Sequence, residues 1–84
     1  MNYQKLRVLS ITNAPDYLEC KCCVYFPHMH DFCMFDSLYK FLETDILEDH
    51  EVFEVTIQKC LFEEDKDFVT IWLKEWYIIC VLDL

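Results

Sequence analysis

Apolar and polar positions alternate along several stretches of this chain, and one stretch follows a helical rather than an extended period. Between Lys5 and Thr12, Leu6 and Val8 fall on one side and Leu9 and Ile11 on the other, which predicts a strand. Asn13-Ala14-Pro15-Asp16 then supplies turn chemistry. From Leu18 to Phe26 the alternation is clearer. Leu18, Cys20, Cys22, Val24 and Phe26 face one way, Glu19, Lys21, Cys23 and Tyr25 the other, so the two segments predict a hairpin. Pro27 ends the second strand, and Asp31 has the chemistry of a helix N-cap. Phe32, Phe35, Leu38, Tyr39 and Leu42 recur at intervals of three and four, predicting an amphipathic helix over 31–43. Asp45 with Glu48 three residues later predicts a short capped turn. Val52 to Phe62 is again β-rich and alternating, and Glu63-Glu64-Asp65-Lys66-Asp67 reads as a charged turn. Phe68 to Leu73 and Trp76 to Leu82 are strand-like, either as two strands or as one long bent one.

These elements predict an α+β fold, with one helix packed on an antiparallel or mixed sheet of four to five strands. The expected order is β-β-α-β-β, with a fifth strand if the C-terminal block divides. The β-grasp topology shares this order and length and is one member of the class. At 84 residues the chain forms a single domain, 1–84, because neither half would bury a viable core.

Composition sharpens this picture by exclusion. Glycine is absent, which rules out the P-loop, the dinucleotide fingerprint and the nucleophile elbow, all of which need glycines for close backbone approach. It also predicts turns that are longer than two residues or carried by Asn, Asp and Pro. The 14 aromatic residues exceed what so small a core needs, so some are expected at an interface. The net charge is −9, and its distribution is one-sided: residues 1–30 carry +1, residues 31–84 carry −10. Only seven Lys and Arg residues are available, so direct binding of nucleic acid or anionic lipid through a charged face is not expected.

The N-terminus lacks the apolar core of a signal peptide, and the apolar run from Phe68 to Leu84 is too short and too charged for a membrane span. The six cysteines are therefore expected as thiols in a reducing compartment, the cytoplasm, or the host cytoplasm or nucleus for a viral protein.

Three constellations carry candidate chemistry. Cys20-x2-Cys23-x4-His28-x4-Cys33 has a spacing that resembles the zinc knuckle, whose three thiolates and one imidazole close a tetrahedral site. The resemblance covers 14 residues and lacks the knuckle's glycines and basic residues, so its RNA binding is not carried over. A strand over 18–26 would also send Cys20 and Cys23 to opposite faces. No metal or other cofactor is expected; Cys20, Cys22 and Cys33 read as small core hydrophobes, with Cys20, Cys23, His28 and Cys33 the ligands should zinc be bound. Cys33 near a predicted helix start, with His28 and His30 upstream, is a candidate reactive thiol, but the flanking Asp31 and Asp36 oppose thiolate formation and no enzyme is expected. His50 reads as a solvated loop residue.

The second constellation is acidic. Glu43, Asp45, Glu48, Asp49, Glu51 and Glu54 come without a basic residue among them, and Glu63, Glu64, Asp65 and Asp67 follow after a strand. Carboxylates at such spacings approach that of phosphates along a nucleic-acid strand. The third is the C-terminal apolar block, where Trp72 and Trp76 are candidate interface anchors; the single helix can cover one strand face, and the other needs cover from a second copy of the chain, a partner or simply loops. Together they predict a small acidic protein-binding module of the inhibitor or decoy kind found in viruses and phages, occupying a basic nucleic-acid-binding surface of a partner protein. The alternative is a zinc-stabilised adaptor built on the Cys/His cluster.

Overall fold

The computed structural model describes residues 15–84 and shows a small α+β fold, with five antiparallel strands and one short helix. The strand expected over 5–12 lies outside the described residues. A 3-10 turn at Pro15–Glu19 leads into β1 (Lys21–Phe26), and a second at Pro27–Met29 connects to β2 (Asp31–Phe35). Helix α1 (Leu38–Leu42) and a 3-10 turn (Asp45–Leu47) form the crossover to β3 (Val52–Lys59). A meander through β4 (Lys66–Leu73) and β5 (Tyr77–Asp83) completes the sheet.

Among the described residues the sheet order is β2-β1-β5-β4-β3 and every pairing is antiparallel, not mixed. The crossover carries the chain from one edge of the sheet to the other, and the returning meander brings β5 back beside β1.

The helix expected over 31–43 is corrected. Its first half is β2, which pairs with β1 from Cys22↔Phe35 to Phe26↔Asp31. The spacing of Phe32 and Phe35 fits a helix, but the residues between them also alternate, and hydrogen bonding to β1 selects the extended form. Asp31 does not cap a helix; its carboxylate accepts from the Phe32 amide at 2.8 Å. The cap is Ser37, whose Oγ accepts from the Lys40 amide at 3.1 Å. Five residues cannot sustain a helix alone. α1 persists because Leu38, Phe41 and Leu42 are buried, Phe41 edge-on to Phe26 and Phe35. The Leu38 amide also donates to the Cys20 carbonyl at 2.8 Å.

Other boundaries shift for similar reasons. β1 starts at Lys21, since 15–19 coil into the 3-10 turn, and β3 ends at Lys59. Asp45 lies inside its turn, with Thr44 at the N-cap position and no side-chain cap bond. The C-terminal block divides into two strands joined through 74–76, rather than one bent strand. Asp67, expected in a charged turn, belongs to β4 and is 2% exposed. Tyr17 Oη donates to its Oδ2, tying the first turn to the inner face of β4. That bond, with burial, raises the Tyr17 phenol to about 12.

The inner face holds the core: Cys22 and Val24 from β1, Val69 and Ile71 from β4, and Ile78, Cys80 and Leu82 from β5, packed with the helix residues and Leu47. Each fully buried aliphatic side chain contributes about 1.5–3 kcal/mol by leaving water. Burial pushes the Cys22 thiol up to about 11 and the Cys80 thiol well above its ordinary value. The outer face is different. The register aligns Phe32, Tyr25, Ile79, Thr70 and Thr56 in one row across the five strands, and Met34, Cys23, Val81, Phe68 and Gln58 in the next. None of these residues belongs to the core cluster.

Candidate protein-binding surface

The antiparallel register brings five strand ends together: Phe26 and Asp31 of the first hairpin, Val52 at the start of β3, Leu73 at the end of β4 and Tyr77 at the start of β5. The loops at this end carry all three histidines of the chain and Trp76. Trp76 is half-buried in the β4–β5 connection and packs against the core. His28, from the β1–β2 loop, lies tilted over it with ring centroids 4.0 Å apart. His50, from the crossover, meets it edge-on at 5.0 Å. His50 is thus half-buried against an indole, not the solvated loop residue expected from its acidic neighbours.

Beside this cluster, Asp49, His50, Glu51, Lys74 and Glu75 line an open recess of about 340 Å³. The crossover brings Asp49 and Glu51 here, and the β4–β5 turn adds Glu75. Three carboxylates against one lysine leave the recess acidic. Sequence reasoning missed Glu75, His28 and His50 as parts of one surface. They come from three separate connections and no spacing links them.

Glu43, Asp45, Glu48 and Glu54 are all exposed along the crossover and the start of β3. A register shift between Val52 and Glu54 displaces the strand there and leaves Phe53 77% exposed. Glu63, Glu64 and Asp65 are exposed too, but they occupy the β3–β4 tip at the far end of the sheet, next to the exposed Leu61 and Phe62. An eight-residue strand spans about 25 Å, so the two acidic groups form separate surfaces. Trp72 and Trp76 do not share a surface either. Trp72 lies on the outer face of the sheet, tilted against Tyr77 at 5.0 Å, and its Nε1 donates to Thr56 Oγ1 at 3.2 Å.

The four residues of the knuckle-like spacing do not converge. Cys23 pairs with Met34 on the outer face, whereas Cys33 pairs with Val24 on the inner side. Cys20 packs against the core and its thiol donates to the Asp16 carbonyl at 3.3 Å. Burial and nearby carboxylates, Asp16 foremost, raise the Cys20 thiol. Cys33 is exposed on an edge strand, not a core hydrophobe, and it lies in β2 rather than at a helix start. The helix-terminus argument for thiol reactivity therefore has no footing.

No protein-family model matches the chain, and neither a curated protein nor a solved structure is significantly similar to it. Among the described residues, no helix is long and apolar enough to cross a membrane.

Proposed function

We propose that the protein is a small acidic binding module that occupies a basic nucleic-acid-binding surface of a partner protein, as an inhibitor or decoy and not as an enzyme. The observation that carries this reading is the acidic recess beside Trp76. Asp49, Glu51 and Glu75 converge there from two connections, next to a half-buried indole. A partner's lysine or arginine would meet carboxylates in the recess and stack its stem or guanidinium on the neighbouring rings. Exposed Glu43, Asp45, Glu48 and Glu54 extend the negative field along the crossover and would speed encounter with a basic groove. All six cysteines are unbridged, which suits a reducing compartment such as the cytoplasm, or the host cytoplasm or nucleus if the protein is viral.

The test is competition. Proteins captured on the immobilised chain at low salt should be released by duplex DNA or by structured RNA, because the nucleic acid and this chain would use one surface. The triple variant Asp49→Asn, Glu51→Gln, Glu75→Gln should bind the captured partner about 10–100-fold more weakly and with a flatter salt dependence, since one desolvated charge pair is worth about 1–3 kcal/mol and pairs at the rim of the recess add little to affinity. Retained affinity and an unchanged salt slope would show that these acids only keep the surface solvated.

A further inference from the structure

The outer face of the sheet differs from the rest of the molecule in charge. Its strand positions carry four charged residues, Lys21, Lys66, Asp83 and Glu54, so the face is neutral on a chain of net charge −9. Three of them form a single row at one end of the sheet, where Lys66 Nζ lies 3.1 Å from Asp83 Oδ1. Glu54 marks the opposite corner, across from Trp72. Between these limits the rows through Tyr25 and Ile79 and through Cys23 and Val81 are apolar or carry only threonine and glutamine. Phe32 and Met34 are 61% and 60% exposed there. The one indole on this face has its N–H satisfied within the chain, by Thr56, so covering the ring strands no donor.

We propose that this face binds a second copy of the same chain, forming a two-fold dimer in which the two sheets stack as a sandwich. Two arguments select this occupant. A basic partner gains nothing from a neutral surface, whereas two strongly acidic chains can approach only where neither presents net charge. The area also suffices. Five strands about 4.8 Å apart and about 20 Å long present about 500 Å² per copy, or about 1,000 Å² in total, the lower limit for a specific interface. Stacked sheets pack about 10 Å apart with strands crossing at about 30°. The acidic recess beside Trp76 lies at the end of the sheet, so the dimer would expose two of them. The inference is independent of the partner proposed above, because it uses a different surface and has the opposite response to salt.

Light scattering or sedimentation equilibrium on the intact protein tests it. The expected mass is near twice 10.3 kDa at micromolar concentration. Dimerisation should tighten several-fold between 50 mM and 500 mM salt, as repulsion between the two acidic chains is screened. Binding to a basic partner would instead weaken. Ile79→Lys sets two lysines against the apolar centre and should weaken the dimer at least 100-fold. Phe32→Lys, at an exposed position, provides the same readout should the first variant fail to fold. Dimers of wild-type affinity in both variants would overturn the proposal. So would a monomer at 100 µM in high salt, and alkylation of Cys23 then identifies the alternative occupant. Protection equal to that of buried Cys80 means that the chain's own N-terminal residues cover the face; free reaction leaves the face to a different protein.

Discussion

Replacing Tyr17 by Phe removes a single oxygen and tests whether the first turn is fastened to the sheet through Asp67. The Asp67 carboxylate is buried on the inner face of β4, and among the described residues the Tyr17 hydroxyl is the one side-chain donor to it. No side-chain polar atom buried among those residues lacks a partner, so the deletion would create the first such vacancy. A hydrogen bond to a charged group is worth about 1.5–3 kcal/mol net, and Tyr17 is only half-buried, so water can partly replace the lost donor. We expect a loss of about 1.5–2 kcal/mol, which for a domain of this size lowers Tm by about 8–12 °C. Asp67→Asn retains an acceptor and should cost less. A double-mutant cycle on the pair should give a coupling of about 1–2 kcal/mol.

Alkaline pH supplies a second readout with a defined sign. The folded Tyr17 phenol ionises near pH 12 rather than at its ordinary 10, so the fold favours its protonated form. Its contribution is complete below pH 10 and is lost as pH rises from 10 towards 12. The stability difference between wild type and Tyr17→Phe should therefore shrink across that window, with the other titrating groups common to both proteins. A coupling below about 0.3 kcal/mol, or a difference independent of pH from 8 to 12, would refute the assignment of this bond as a fastening.

Further outcomes follow from single positions. His30 holds φ 52° and ψ 41°, left-handed backbone that a residue with a Cβ adopts at a cost of about 1–2 kcal/mol. His30→Gly should stabilise the protein by about 0.5–1 kcal/mol in denaturant unfolding once the entropy of the unfolded glycine is deducted; a destabilised variant would show that the imidazole contributes a contact outweighing that strain. Because Cys23 and Cys33 face opposite sides of the first hairpin, protein expressed with zinc supplied should contain less than stoichiometric metal by elemental analysis. Cys23→Ser should leave thermal unfolding within a few degrees of wild type; one zinc per chain, lost with the fold on that substitution, would reverse the conclusion.

Local pattern alone located β1, β3, β4 and β5 to within a few residues, because each is a run of alternating residues whose period of two survives in any extended structure. It also disclosed the missing glycines, the acidic bias and an apolar excess in the last two strands. It misassigned 31–35, where the intervals between Phe32, Phe35 and Leu38 suit a helix and the alternation of Phe32 with Met34 suits a strand. Pairing with β1, a non-local term, resolved that choice. Asp67 looked like a turn residue because its charge dominates its sequence context, while Tyr17, 50 positions away, supplies the donor that permits its burial. The acidic residues could be counted from the sequence, but their separation into two surfaces depends on β3 holding 52 and 59 at opposite ends of the sheet. The cluster of His28, His50 and Trp76 has no linear signature. Three loops meet there only because an antiparallel sheet in the order β2-β1-β5-β4-β3 brings these strand ends to the same side.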